Sequence, residues 1–322
     1  MNRNSLLCVA ASAVSLVLAG VVHAQAWPAK PVRIIVPFAP GGGTDIQGRL
    51  LGKKFFESMG QTFIVENRAG ATGLIGAEIV ARSPADGYNI LFTTASLSVN
   101  VSLYKKIAFD PVKDLQPISW VSSVPLVLVV HPSVPAKSAK ELIALAKKQK
   151  GRMNAAHNGS GTTSHLSVEM LKQFAGVEVA SIPYKGGGPA ITAVVSGETD
   201  FVFATALAAQ PHIKSGKVRA LAVTTAKRSG AFPELPTLNS LYPGFESDNW
   251  YAMFFPAGAP KDIVAKMNAE ILKALKASDI REFIVKEGGD PVGSTPEVLA
   301  AYFKREVDKY AKIIKAGNIT VD

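Results

Sequence analysis

The stretch VRIIVPFAPGGGTDIQGRL, residues 32–50, decides the reading of the fold. VRIIV is a short run rich in β-branched residues, suited to a buried strand that stops at Pro37. Three glycines follow at 41–43, and from Asp45 the apolar residues return at helical spacing. Ile46, Leu50, Leu51 and Phe55 are expected on one face. Strand, glycine loop and helix in that order are the context of a phosphate-binding loop. The spacing G-x-x-x-x-G runs from Gly43, but Arg49 and Leu50 stand where such a loop needs Lys and then Ser or Thr. Nothing there would hold magnesium, and Asp45 sets a negative charge in the first helical turn against a multiply charged anion. Thr44 and Gln47 fit a capping box that would start the helix at Asp45. The glycines still let the backbone approach a guest and aim N–H groups at it. A weaker anion or a neutral polar group suits this loop better than a nucleotide.

Outward from this stretch the alternation repeats. QTFIVENR (61–68) and YNILFTT (88–94) read as strands, with GLIGAEIVARS (73–83) a helix between them. Such a pattern argues a parallel, right-handed α/β sheet. WVSSVPLVLVVHPSV (120–134) is a longer β-like passage broken by Pro125, suited to a strand that leaves one lobe and enters another. The alternation then restarts with helix AKELIALAKKQKG (139–151), strand RMNAAH (152–157) and helix HLSVEMLKQFAG (165–176). Strand VASIPY (179–184), helix PAITAVVSG (189–197) and strands DFVFAT (200–205) and KVRALAVTT (217–225) complete it. A Pro-rich passage, residues 232–244, precedes the strand-like WYAMFFP (250–256) and a helical tail. In that tail Thr295 is placed to cap a helix with Pro296 at its first position. The expected architecture is two α/β lobes, with crossings near 122–130 and 236–252.

A chain of 322 residues suits two domains. With 48% hydrophobic and 19% charged residues it can fill a core, so disorder is excluded for the whole. The formal charge is +10, which suits anionic guests. The lysines, such as Lys140, Lys147, Lys304 and Lys312, are scattered without interleaved stacking aromatics, so they read as a solvated surface and no nucleic acid is expected. Residues 1–26 read as a secretory signal peptide: Arg3, then LLCVAASAVSLVLAGVV, then HAQA, with cleavage after Ala24 or Ala26. The apolar run is short for a bilayer span of about 20 residues. Cys8 precedes that run instead of ending it, and no other cysteine exists, so the exported chain would hold no disulfide. The five histidines lie far apart, without metal-ligand spacing, so no metal site is expected.

Two further polar glycine loops resemble the first in design. NGSGTTSH contributes Asn158, Gly159, Ser160, Gly161, Thr162, Thr163 and His165; YKGGG contributes Tyr184, Lys185 and Gly186. Each opens a helix at the carboxyl end of a strand, where α/β sheets place small ligands. Ser160 with His165 raises a second reading, an exported α/β hydrolase. Gly159-Ser160-Gly161 lacks the G-x-S-x-G spacing of a nucleophile elbow. His165, in the first turn of its helix, reads as a capping or packing residue. No catalytic residue and no cofactor are expected.

KPVRIIVPFAPGGGTDIQGRLL, VENRAGATGLIGAEIVARSPADGYNILF, NGSGTTSHLSVEMLKQFAGV, IPYKGGGPAITAVVSGETDFVF and RALAVTTAKRSGAFPELPTLNSLYPGFE together resemble the Bug family, the extracytoplasmic solute receptors of tripartite tricarboxylate transporters. The likeness spans essentially the whole mature chain. It implies a two-lobed periplasmic binding protein fold of type II-like form, each lobe a sheet flanked by helices, with the ligand in the cleft between them. Lobe 1 would comprise 27–125 and 240–322, and lobe 2 would comprise 126–239. The resemblance implies a monomeric periplasmic receptor that closes over a di- or tricarboxylate, an acidic amino acid or an aromatic acid. Its partner would be the membrane components of a tripartite transporter, or a sensor kinase. Carried over by position, the first pincer is Pro37–Asp45, including Phe38, Ala39, Gly42, Gly43, Thr44 and Asp45. The second is Asn158–His165. Tyr184, Lys185 and Gly186 add one wall, and Thr94, Ala95 and Ser96 another.

Overall fold

The computed structural model describes residues 27–320; the expected signal peptide lies outside them. β1 (Val32–Val36) runs into helix α1 (Gly43–Met59), then β2 (Phe63–Asn67), α2 (Leu74–Ala81) and β3 (Asn89–Thr94). β1 lies between β2 and β3 and is parallel to both. α3 (Ser96–Leu103) follows β3, and β4 (Leu115–Val124) leads to the first crossing. β4 belongs to one sheet and β5 (Leu126–Val130) to the other, with Pro125 alone between them. Proline has no N–H to give either ladder, so it marks the point where pairing changes sheets.

The second sheet continues through α4 (Ala139–Gln149), β6 (Asn154–His157), α5 (Thr163–Ala175), β7 (Ala180–Pro183), α6 (Gly187–Val195), β8 (Phe201–Thr205), α7 (Ala206–Lys214) and β9 (Arg219–Val223). The chain returns in β10 (Asn249–Pro256) and ends with α8 (Lys261–Ala274), α9 (Ser278–Lys286), the short β11 (Asp290–Pro291) and α10 (Pro296–Ala316). The strand orders are β11-β4-β10-β3-β1-β2 and β7-β6-β8-β5-β9.

Neither sheet is purely parallel, which corrects the sequence expectation. β10 runs antiparallel to β3 and β4, and β5 antiparallel to β8 and β9. These are the strands that enter from the other sheet, so no crossover helix sets their direction. The buried stripe of α1 also differs from expectation. Leu51 and Phe55 are fully buried, but Ile46 is 39% exposed. The stripe instead passes through Thr44, Gln47, Gly48, Leu51, Gly52 and Phe55. Two of its members are glycines, and a Cβ at Gly48 would sit 3.3 Å from the Phe92 ring. The helix therefore lies close on its sheet at positions where hydrophobicity gives no sign. α7 escaped the sequence reading because it is short and carries Pro211.

α10 begins as expected, with the Thr295 hydroxyl accepting from Val298 N–H and Pro296 in the first turn. Its Leu299, Tyr302 and Phe303 pack in the core of the first sheet. Tyr310, Ile313 and Ile314 pack in the core of the second. One helix thus spans the back of both sheets. At the two crossings the buried Thr224 accepts from Leu126 N–H at 3.0 Å and donates to the Ser247 carbonyl at 2.8 Å, tying the outgoing strand to the return.

Candidate functional site

The first loop is held open by its own charges. Asp45, 4% exposed, accepts from Gly41 N–H at 2.9 Å and pairs with Arg49 at 2.9 Å. Burial alone would raise the Asp45 carboxyl, but Arg49 and the Gly41 amide outweigh it and hold it below its ordinary range. Arg49 also donates to Asn67, whose amide reaches the Phe38 carbonyl at 3.0 Å. The carboxylate is spent on the loop, and its charge is offset by Arg49. The helix starts at Gly43 with Gly42 as N-cap and no side-chain cap, not at Asp45 with a Thr44 capping box. Thr44 is instead buried in the stripe against the sheet. The first-turn amides of α1 therefore carry the partial positive charge of a helix start without a side-chain acceptor.

The second loop turns twice through positive φ, at Gly159 (120°) and Gly161 (78°). Thr162 caps α5 by accepting from His165 N–H and donates to the Gly159 carbonyl at 2.7 Å, so its hydroxyl serves the loop itself. The Ser164 hydroxyl donates to the Phe203 carbonyl at 2.7 Å, and buried Thr163 accepts from Ser167. Ser160 is exposed. Two stacked imidazoles, 4.4 Å apart, stand beneath the loop. Gly159 N–H donates to His157 Nδ1, and Gly161 N–H to His165 Nδ1, both at 3.3 Å. Burial, with His165 adding to it, pushes His157 down to about 4; burial also lowers His165, against the pull of Glu169. Both rings are therefore neutral acceptors at Nδ1, propping up the loop's amides.

The third loop joins the second. Tyr184 N–H donates to the His157 carbonyl and Gly186 N–H to the Asn158 carbonyl. The Tyr184 hydroxyl donates to Glu198 at 2.7 Å, and burial together with Glu198 pushes its pKa up to about 12. Lys185 is exposed, and Gly186 (φ 106°) caps α6 without a side chain. Thr94, Ala95 and Ser96 are buried at the start of α3, where Ala95 N–H meets the Trp250 carbonyl.

What brings the loops of the two sheets together is a turn that the sequence reading passed over, Ala71–Gly73. Gly70, Ala71, Thr72 and Gly73 all have positive φ, an unusual run because two of them carry side chains. The Phe38 ring lies 3.3 Å from where a Gly73 Cβ would be, and the Thr72 methyl 3.8 Å from where a Gly161 Cβ would be. Leu103 and Asn100 of α3 press on the same face of Gly161, at 2.7 and 3.3 Å. Asn100 donates to the Thr72 carbonyl at 2.8 Å, while its Oδ1, like that of Asn158, is buried without a partner. The first and second loops thus flank one turn. Phe38 is half-buried there, and Ala39 is exposed beside it.

The model of the tripartite tricarboxylate transporter family receptor, TctC, matches residues 48–319. The chain belongs to this receptor family. Protein BugT of Bordetella pertussis is 37% identical over 98% of both chains. A Rhodopseudomonas palustris protein solved with adipate is 32% identical with TM-score 0.80, covering 91% of this chain and 99% of that one. MatC from Rhodopseudomonas palustris, with bound malate, is 31% identical with TM-score 0.77, covering 89% and 100%. The two-sheet α/β fold is that of periplasmic binding proteins of this type.

The family is one of receptors, and the geometry gives the hydrolase reading no support. His165 Nδ1, the acceptor of the neutral ring, is occupied by the Gly161 amide and so is not free as a base for Ser160. Besides Thr72 and Asn100, the sequence reading missed Glu287, Tyr251 and Asn249. A Cβ on Gly43 would meet Glu287 Oε2 at 2.6 Å and the Tyr251 hydroxyl at 3.0 Å. The Gly-rich AGATG run was the one available signal for Thr72; the others are brought in by tertiary structure alone.

Proposed function

We propose that the mature chain is a periplasmic receptor that captures a small carboxylate between two lobes, residues 27–125 with 240–322 and residues 126–239. It delivers that ligand to the membrane components of a tripartite tricarboxylate-type transporter, with a sensor kinase as the other candidate partner. The observation that carries the reading is the pairing of the uncapped helix start at Gly42–Gly43 with the Asn158–Thr163 loop across the Ala71–Gly73 turn. An uncapped helix start offers amide donors and partial positive charge, and suits a carboxylate without any lysine. Arg49, which stands where a nucleotide loop has its lysine, is taken up by Asp45. Adipate and malate on the two Rhodopseudomonas palustris relatives support the same ligand class. A guest that touches both lobes stabilises the closed form by its differential affinity. Processing after Ala24 or Ala26 leaves a monomer in the periplasm.

The test is a thermal-shift panel on ligand-stripped mature protein, with mono-, di- and tricarboxylates, acidic amino acids and aromatic acids. At one hundred times Kd a matching ligand adds about 2.7 kcal/mol to stability. A panel in which no carboxylate moves the midpoint would refute the reading.

A further inference from the structure

The carboxylate of Glu287 has no role in holding the fold together that its contacts reveal. It is the residue after α9, where its backbone N–H donates to Phe283 and the next amide, Gly288, to Val285. Gly288 (φ 78°) is wedged on the second sheet's side: a Cβ there would meet the Cβ of Ala206, the first residue of α7, at 2.1 Å. The Glu287 side chain turns the other way, onto Gly43, the first residue of α1. The turn therefore stands at the joint between two helix starts, α1 and α7, neither of which has a side-chain cap.

In that position Glu287 is 7% exposed, and among the described residues it has neither a hydrogen bond nor an ion pair. Its neighbours are the Gly43 backbone and the Tyr251 hydroxyl, which accepts from Asn249 Nδ2 at 3.2 Å. No cation is among them. Burial pushes the Glu287 carboxyl up, as a carboxylate without a compensating partner requires. Polar groups this far buried normally have a partner. The Glu287 carboxylate keeps only a little access to solvent and has no protein partner, which leaves a place for one that the ligand supplies. A ligand carboxylate on the amides of α1 would bring the ligand's adjacent atoms toward this side chain. A second carboxylate there would meet like charge. An ammonium would meet its complement and relieve the burial of Glu287.

Resting on the receptor reading above, we propose that Glu287 is the specificity-determining residue of the site, selecting an amino-carboxylate over the plain carboxylate of the same skeleton. Gly43 is part of the device, since any side chain there would fill the space that the carboxylate occupies.

The test is isothermal titration of ligand-stripped mature protein with matched pairs: aspartate against succinate, glutamate against glutarate, and β-alanine against propionate. In the wild type the amino member of at least one pair binds about ten- to hundredfold more tightly, the range of a hydrogen bond to a charged group. Glu287→Gln, which keeps the shape and removes the charge, abolishes that preference while the plain carboxylate binds as well or better. Preference for the plain acid in wild-type protein overturns the proposal without any variant. A preference that survives in Glu287→Gln also overturns it, while leaving the receptor reading intact. Failure of every member of every pair, together with a silent thermal-shift panel, overturns both. Should Glu287→Gln fail to fold, a wild-type complex with the favoured amino acid decides: its ammonium must lie within hydrogen-bond distance of Glu287.

Discussion

Gly161→Ala tests the contact that joins the second loop to the first sheet. Gly161 sits at φ 78°, a conformation that costs a residue with Cβ about 1–2 kcal/mol. Its new methyl would also lie 2.7 Å from Leu103 Cδ2 and 3.3 Å from Asn100 Oδ1, inside contact distance on the packed face of α3. Overpacking of that kind costs about 1–3 kcal/mol. The expected loss is therefore about 2–5 kcal/mol. Gly60→Ala is the matched control, because Gly60 has φ 71° but nothing within 4 Å of its would-be Cβ. It should lose only the conformational part, about 1–2 kcal/mol. Urea midpoints at constant m-value measure both losses. The difference between the two variants isolates the steric contribution, which no single substitution does. If Gly161→Ala is no more destabilising than Gly60→Ala, the second loop is not seated against Leu103, and the shared site loses its main structural support.

Three further outcomes follow from the same structure. His157 is held down to about 4 against an ordinary 6.5, so between those values the unfolded chain binds a proton that the folded chain refuses. Stability is then full above about 6.5 and falls as pH drops toward 4, by at most about 1.4 kcal/mol per pH unit for this one group. His157→Gln should flatten the urea midpoint profile over that window; an unchanged slope refutes the neutral-prop role. Asp248, raised from 3.8 to about 7 by burial and then by Glu246, shows the opposite sign: the folded chain holds the extra proton, so stability declines as pH rises from about 4 to 7. Asp248→Asn should stabilise by about 1–3 kcal/mol at pH 8 and by little at pH 4, and equal effects at both would refute the assignment. Thr162→Ala should cost about 1 kcal/mol of stability as a lost N-cap, whereas exposed Ser160→Ala should leave stability unchanged; a fold that loses as much from Ser160→Ala contradicts the division of labour in that loop.

How much of this was legible in the sequence depends on how far apart the interacting residues are in the chain. Pro125 could be read as the crossing because a proline inside a β-run breaks pairing wherever it falls. Thr295 and Pro296 could be read as a helix start because capping is local. The three glycine loops were legible for the same reason, and the structure packs the second and third of them side by side. Strand direction was not legible: β10 has the composition of a buried strand, and only its arrival from the other sheet makes it antiparallel to β3. The stripe of α1 was misread at Ile46 because two of its true members are glycines, whose contribution is closeness and not hydrophobicity.

Gly43 shows where this limit lies. In the sequence it is the last of three glycines and reads as loop freedom. In the structure Gly41 needs such freedom, with φ 85°, whereas no positive φ is found at Gly43. What crowds a side chain at Gly43 is the pair Glu287 and Tyr251, brought by the turn after α9 and by β10 from the far end of the chain. Two neighbouring glycines in one motif thus answer to different physics, one to a turn and one to a wall. A motif shows that a backbone is approached closely; only the fold shows by what. The same holds for Glu287, an ordinary acidic residue at a helix end until the fold buries it against an uncapped helix start. From the residues alone the loops are readable as a place for a weak anion or a polar guest. The carboxylate comes from the family resemblance, and in the proposal above Glu287, which no local pattern marks, narrows it to an amino-carboxylate.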